Sequence, residues 1–502
     1  MKHALIRTAF KILGVDRLYD EMVVQDRLTN VKPQIRADLE ELLAQATKNN
    51  PYFQGKFDEF LQTTQGTDDE TFFAEFAKLP ALSKQDYAEA GWSVMPTDVV
   101  SKLRDKGLPF DGKPLQFLSR LRKGNFLMPM ATGGSTSSPL AVQMTKQHMF
   151  SMLFTFFKCW YRMGWRPGDR MLVFYPRNTY NIDDMAKYNR FSWLTGFRIH
   201  LFGKIDEPTI RELVSEINEF KPQIFLVFPS PLNMIADTIR KNDLKLEHHP
   251  EMINTSGETF FDCQRKNVQE VFSGSKIEDS YGSVELGEIS HETDEGLEIF
   301  ANAAYVETAP NEQGKPEMII TRLGLTDFPF IRYKMRDVAD IEFIKRPDGT
   351  ERFVITRIEG KDSNYILSDG SEKYYPSFFN QFVNDLNEQF DDRIVEIKVY
   401  ERGQQELEVQ FIVKDDELND SIRVTTEQML KDRISTQMQF DIKFVDFIDH
   451  DYRRKYRVIE RIGDIEYAGG IVGDNEKLQK IAADAKDRDG SRKPGVKAPA
   501  ET

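Results

Sequence analysis

The stretch QIFLVFP, Gln223 to Pro229, is a continuous apolar run closed by a proline, and Leu232, Ile235, Ala236 and Ile239 follow it at the spacing of one helix face. A short run that is apolar at consecutive positions reads as a strand buried on both faces, as in parallel sheets covered by helices. The pattern repeats on either side. RMLVFY (Arg170–Tyr175) follows the turn Arg166-Pro167-Gly168-Asp169. EMIN (Glu251–Asn254) leads into a helical stretch from Phe260 to Phe272, and KIEDSYG comes next. Apolar runs alternating with amphipathic helices predict βαβ units and an α/β fold with a largely parallel sheet.

Upstream, Ile35, Leu39, Leu42 and Leu43 after Pro33 share one helix face, and the N-terminal third reads as largely helical. Downstream of about residue 296 the texture is β-rich: EMIITRL, VADIEFI and RFVITRI, separated by Pro and Gly turns. RIEGK (Arg357–Lys361) reads as a boundary. Beyond it, Val395, Ile397 and Val399 alternate, Gly403 turns the chain, and Leu407, Val409, Phe411 and Val413 alternate again: a hairpin with one buried face. A helix around Ile422–Ile434 and the strand FDIKFVDFI complete a smaller α+β unit. The predicted division is a large N-terminal domain of mixed and parallel sheets with a β-rich segment (1–358), a small C-terminal α+β domain (359–465), and a charged, Pro/Gly/Lys-rich disordered tail (473–502).

The chain's 502 residues suffice for two or three domains, and 37 Phe and 17 Tyr supply much of the burial. A formal net charge of −14 argues against bulk nucleic acid or anionic lipid as a partner, though a local basic patch can still hold an anionic small molecule. Two cysteines, Cys159 and Cys263, make neither a disulfide framework nor a tetrathiolate zinc site. His3, Arg7 and Lys11 interrupt the N-terminus, which lacks the apolar run of a signal peptide. MFSMLFTFFKCWYRMGW is short and carries Lys158 and Arg162, so it reads as a buried helix rather than a membrane span. The expectation is a soluble, cytoplasmic protein; a homodimer stays open.

Four stretches could carry chemistry. In Thr132-Gly133-Gly134-Ser135-Thr136-Ser137-Ser138-Pro139, the glycines let consecutive N–H groups converge on an anion, and hydroxyls add donors. No Gly-Lys-Ser/Thr follows, so it is not a Walker A loop, and a polar surface turn is the alternative. EDSYGSVELGE (Glu278–Glu288) puts an aromatic ring and Glu285 at a strand's carboxyl end, where open α/β sheets bind ligands; core filler and a helix-start Glu are the alternative. In FPFIRYKMRDVADI (Phe328–Ile341), Arg332, Arg336 and Asp337 lie between apolar runs, so they are paired or functional. RRKYRVIER (Arg453–Arg461) is a basic run that also reads as a solvated strand rim.

Taken in order, these stretches resemble one family: the adenylate-forming enzymes, in the phenylacetate–CoA ligase and CapK-like branch. The family loop SSGTTGKP looks like TGGSTSSP, its Gly-Glu-Pro-like stretch like Ser256-Gly257-Glu258-Thr259, and its YGxxE strand end like Tyr281-Gly282-Ser283-Val284-Glu285. PxxRYRTRD is mirrored by Pro329 to Asp337, the most specific block, and the hinge RIEGRxDD by Arg357 to Asn364. LPALSKQDY (Leu79–Tyr87) is similar to the family's LPxLxKxD stretch and MGWRPGDR to its GxxxGDR turn. The likeness spans roughly residues 75–460.

The resemblance implies ATP-dependent activation of a carboxylic acid to an acyl-adenylate with pyrophosphate release, then acyl transfer to a thiol of CoA or of a pantetheine-bearing carrier protein. For a CapK-like enzyme an amine or sugar acceptor is the alternative. Phe174–Trp193 is aromatic-rich, which favours a small aromatic or otherwise apolar acid. Carried over by position, Thr132, Gly133, Gly134, Ser135, Thr136 and Ser137 would cradle the leaving phosphates. Tyr281 would stack on adenine in a pocket lined by Gly257, Glu258 and Gly282. Glu285 would bind Mg2+, Asp337 the ribose hydroxyls, and Arg332 would brace that pocket or approach phosphate. Lys361 stands where the family has its hinge arginine. A mobile C-terminal domain would bring in the catalytic lysine, best matched by Lys455 before Tyr456-Arg457-Val458, with Arg454 as the fallback.

The chain departs from the family at the same places. The loop's second Gly and its Lys are Ser137 and Ser138, the hinge Asp aligns with Ser363, and SDGSEKYYP replaces the stretch after the hinge. These positions handle phosphate or rotate the domain, so a catalytically degenerate nucleotide-binding or scaffold protein is the rival expectation.

Overall fold

A computed structural model describes residues 8, 11, 12, 16–20, 23, 29–106, 127–131, 140–166, 168–176, 189, 192, 196–361, 364–368, 372–403, 405–448 and 456–462. The loop residues Thr132 to Ser137, Lys455, Arg454 and the 473–502 tail lie outside the described residues.

The fold is α/β. Five parallel strands form its central sheet in the order Phe197–Phe202, Met171–Pro176, Ile224–Val227, Met252–Ser256 and Lys276–Ser280. The apolar runs bury both faces, as parallel sheets require. Met171, Val173, Ile224 and Leu226 pack on one side against the helix Lys146–Met163. Leu172, Phe174, Phe225 and Val227 pack on the other, against the helices Glu207–Phe220, Pro229–Lys241 and Asp262–Val271. Cys159 and Cys263 are free and buried. Among the described residues no helix is long and apolar enough to cross a membrane.

The β-rich segment closes into a six-stranded antiparallel sheet, ordered Ser290–Thr293, Gly296–Ile299, Glu351–Lys361, Tyr333–Lys345, Pro316–Arg322 and Ala304–Pro310. The N-terminal helices, led by Lys32–Asn49 with its buried Ile35, Leu39, Leu42 and Leu43, share a core with it. RIEGK is the end of the strand Glu351–Lys361, so the sequence boundary at Ile358–Glu359 falls within a strand.

Past residue 364 a four-stranded mixed sheet, ordered Gln439–Phe444, Glu406–Val413, Ile394–Gly403 and Ile459–Arg461, carries its own core with the helices Pro376–Gln389 and Asn419–Arg433. The predicted hairpin is present, with Gly403 opposite Glu406 at its turn. This unit meets the central layer through both apolar and polar contacts: Phe261 and Cys263 pack into its core. Asn233 Nδ2 donates to Val395 O and Glu396 Oε2 (both 3.1 Å), and Asn380 and Asn384 donate to Asp262 Oδ2 (3.0 and 2.6 Å).

Candidate active site

Parallel strands all end on one side, and here those ends converge on the six-stranded sheet. The strand Met252–Ser256 gives way to Gly257, whose φ of +82° turns the chain in a conformation glycine adopts without strain. Glu258 follows. Its Oε2 accepts from the N–H and Oγ of Ser230 (3.1 and 2.7 Å) at the start of the helix Pro229–Lys241, whose N-cap residue Phe228 offers no side-chain acceptor. A carboxylate is well placed there, because it satisfies an unpaired N–H and meets the positive end of the helix dipole. Its Oε1 accepts the N–H of Tyr456 (2.8 Å), so Glu258 also ties down the described end of the basic C-terminal run.

One strand further, Lys276–Ser280 ends at Tyr281. Its N–H donates to Ser290 Oγ and its carbonyl accepts from Ile289, both at 2.9 Å, so the backbone is held on both sides. Gly282 and Ser283 fold back on Gly287 and Glu288 as a two-stranded hairpin. A Cβ at Gly282 would lie 2.6 Å from Gly287 O, so packing within the hairpin by itself requires the glycine after the tyrosine. The turn between carries Glu285. It is anchored by Leu286, whose N–H donates to Ser283 Oγ and whose carbonyl accepts from the fully buried Arg322 (3.2 and 2.8 Å).

The strand Tyr333–Lys345 supplies the facing residues. Its register to Pro316–Arg322 jumps between the pairs Ile319–Lys334 and Glu317–Val338, so Met335, Arg336 and Asp337 bulge opposite Met318. A bulge re-aims side chains, and Arg336 within it takes a left-handed φ of +62°, unusual for a non-glycine residue. The bulge brings Asp337 to Tyr281: Tyr281 Oη donates to Asp337 Oδ2 at 2.6 Å. Lys361, opposite Asp337 on the neighbouring strand, donates to the same oxygen (2.7 Å) and to Met335 O (2.9 Å). Burial, and then the charge of Asp337, push the Tyr281 hydroxyl well above its ordinary range, so it stays a donor. Among the described residues, Asp337 Oδ1 accepts no hydrogen bond.

Glu285 is buried, and Tyr333 Oη approaches its Oε1 at 3.3 Å. Among the described residues that is the one hydrogen bond to its side chain, so Oε2 is available to a cation. No cluster of three or more His, Cys, Asp or Glu able to hold a metal occurs among the described residues. A single carboxylate suits Mg2+ nonetheless, since that ion takes its other ligands from phosphate and water.

Arg332 is turned elsewhere. Its Nε is 2.7 Å from Glu307 Oε1 in a buried pair, and its Cζ is 5.8 Å from the centre of the Phe76 ring. Of the sequence-derived candidates, then, Gly257, Glu258, Tyr281, Gly282, Glu285, Asp337 and Lys361 gather at one sheet edge. Tyr333 and Ser230, which the sequence reading passed over, support them. Both contacts join residues far apart in the chain, and no local pattern announces them.

No family model matches the chain. Over 405 residues, 78% of this chain and 85% of the relative, it is 22% identical to protein CapK of Staphylococcus aureus. Among solved structures it resembles 2-hydroxyisobutyryl-CoA ligase in the postadenylation state in complex with R3-HIB-AMP, with TM-score 0.60 and 17% identity over 91% of this chain and 92% of that one. The same ligase in complex with 2-HIB-AMP gives TM-score 0.60 at 16% identity, with the same coverage. The chain shares the α/β fold of this ligase.

Proposed function

We propose, on the premise of this fold, that the protein is an AMP-forming carboxylate ligase. It would activate a small aromatic or apolar acid with ATP and pass the acyl group to a thiol of CoA or a carrier protein. The observation that carries this reading is the junction of Tyr281, Asp337 and Lys361 beside Glu285, where the parallel strands end.

A carboxylate is a poor acylating agent until its oxygen is made a good leaving group. In the first half-reaction a carboxylate oxygen attacks the α-phosphorus of ATP, the bond to the β-phosphate oxygen breaks, and pyrophosphate leaves with the electron pair. In the second, a thiolate attacks the acyl carbon and AMP leaves. The chain's task is to orient the nucleotide and to offset charge that develops on phosphoryl oxygens. Asp337 would receive the ribose through Oδ1, with Oδ2 held by Tyr281 and Lys361. The Tyr281 ring would take the adenine. Glu285 would hold Mg2+, which when bound lends positive charge to the phosphate oxygens. The 132–137 loop would cradle the departing pyrophosphate with N–H and hydroxyl groups, and Lys455, adjacent to the Tyr456 that Glu258 holds, would serve the adenylation step.

The division at residues 358 and 359 belongs to the same proposal. A rotation between the two half-reactions would break the polar contacts of Asn233, Asp262 and Glu258 with the C-terminal unit and the packing of Phe261 and Cys263 into its core. An amine or sugar acceptor is the alternative to the thiol.

The experiment is direct. The protein is incubated with ATP, Mg2+ and a panel of aromatic and aliphatic acids, and the extract is assayed by mass spectrometry for acyl-AMP. An acyl-adenylate with one acid supports the reading and names the substrate. Tight ATP binding without any acyl-adenylate favours the degenerate alternative.

A further inference from the structure

Three separate segments of the chain clamp the turn that carries Glu285. The first is the helix Lys146–Met163, against which Gly287 presses the turn with a φ of +73°. A Cβ at Gly287 would lie 2.7 Å from Thr155 Oγ1 and 3.2 Å from Met152 Cα, so the contact is backbone against helix. The second is the strand Tyr333–Lys345, whose Tyr333 Oη approaches the carboxylate at 3.3 Å. The third is the strand Pro316–Arg322, which ends in the fully buried Arg322.

Arg322 is an expensive residue to bury. Its Nε donates to Leu286 O (2.8 Å), its Nη1 to the carbonyls of Ala303 and Leu323, and its Nη2 to Ser151 Oγ (2.9 Å). All four acceptors are neutral, and among the described residues no carboxylate pairs with it. Burial lowers its pKa to about 10, which still leaves it charged at neutral pH. A guanidinium buried without a counterion costs free energy that an apolar side chain of similar volume avoids. What the guanidinium adds is a rigid planar fork, which spaces the segments bonded to it as neither an apolar side chain nor a lysine can. Those segments are the Glu285 turn, the helix Lys146–Met163 and the neighbouring main chain at Ala303 and Leu323.

Leu286 follows Glu285 directly, so a bond to its carbonyl fixes the main chain one residue from the carboxylate. Its N–H is fixed as well, by Ser283 Oγ at 3.2 Å. The Glu285 side chain has only the long contact from Tyr333 to orient it, which leaves its placement largely to the turn. We propose that Arg322 is a positioning residue: through Leu286 it locks the turn, so that the Glu285 carboxylate is held ready for a phosphate-bound Mg2+. The role rests on the adenylation reading above and concerns a residue outside every motif that carries that reading. A ligand that is held in place loses little freedom when the metal arrives, and its affinity for the metal rises accordingly.

The test is calorimetric titration of the full-length protein with ATP, once with Mg2+ and once with EDTA, in wild type, Arg322→Met and Arg322→Lys. The ratio of the two affinities isolates the metal. Both variants are expected to lose roughly tenfold to a hundredfold in that ratio, the usual range when the support of a metal ligand is removed, with ATP affinity in EDTA unchanged. Arg322→Lys keeps the buried charge without the fork, and it carries the test if Arg322→Met does not fold. In a Glu285→Ala background the Arg322 substitutions are expected to change the ratio no further, because they act through the carboxylate that is gone. An unchanged ratio in Arg322→Lys overturns the role. So does an equal loss with and without Mg2+, or a further loss on top of Glu285→Ala, since either marks an arginine that only stabilises the fold. Wild-type protein whose ATP affinity ignores Mg2+ overturns the metal reading of Glu285 and this role with it, an outcome that the wild type alone reveals.

Discussion

Lys361 stands directly opposite Asp337 across the antiparallel ladder, and its Nζ lies 2.7 Å from Asp337 Oδ2, the oxygen that Tyr281 already holds at 2.6 Å. The carboxylate is therefore fixed by one oxygen and open at the other. Tyr281→Phe removes one anchor and keeps the ring. It is expected to cost about 1–2 kcal/mol of stability and to weaken AMP binding less than Asp337→Ala does. Thermal melts and AMP titrations of both variants check this.

Glu258 caps a helix and holds Tyr456 with the same carboxylate. Glu258→Ala is expected to cost about 1 kcal/mol, the usual magnitude for a lost helix cap. It should also free the C-terminal segment. Hydrogen exchange is the measurement: amides of 456–461 should exchange faster than in wild type, while those of the strand Ile224–Val227 remain protected.

Arg332 and Glu307 form a buried pair, and burial raises the Glu307 pKa despite Arg332's opposing charge. Arg332→Ala strands a buried carboxylate and is expected to cost about 3–5 kcal/mol in urea unfolding. Arg332→Met combined with Glu307→Leu is expected to recover most of it, because an apolar pair of similar volume avoids desolvating two charges.

Lys158 is 2% exposed, donates to Asn302 Oδ1 at 2.6 Å, and is held down to about 7, by burial first and then by the charge of Arg352. With its folded pKa below the unfolded value, the unfolded chain binds the extra proton between about pH 7 and 10.5. Stability should therefore rise with pH across that window and be lost as pH falls toward 7. Lys158→Met is expected to flatten the rise, which at its steepest approaches ~1.4 kcal/mol per pH unit. Urea unfolding at several pH values, for wild type and variant, measures the difference.

Much of the fold was legible because burial on both faces writes itself into the chain as unbroken apolar runs. Gln223–Pro229 and Arg170–Tyr175 became the strands Ile224–Val227 and Met171–Pro176. The strand Phe197–Phe202 was not read, because Arg198 and His200 interrupt it. It is an edge strand, and both residues pair with Glu216 on a covering helix, which only the tertiary contact reveals. At the candidate site, Tyr281, Glu285 and Asp337 were legible because each sits in a compact motif. Lys361 was read as the hinge cation and among the nucleotide-binding residues, and the strand register sets it opposite Asp337. Arg332 was left between a buried pair and a phosphate contact, and Glu307 provides the pair.

ATP–pyrophosphate exchange tests the central claim most directly, because it reports reversible attack of a carboxylate on the α-phosphorus before any acceptor is involved. The measurement is acid-dependent incorporation of labelled pyrophosphate into ATP by wild type, Glu285→Ala and Asp337→Ala. The expected result is exchange by wild type with at least one small aromatic or apolar acid, and its loss in both variants while their melting temperatures remain near wild type. Wild-type protein that binds ATP and exchanges with no acid, or variants that exchange as well as wild type, would contradict it.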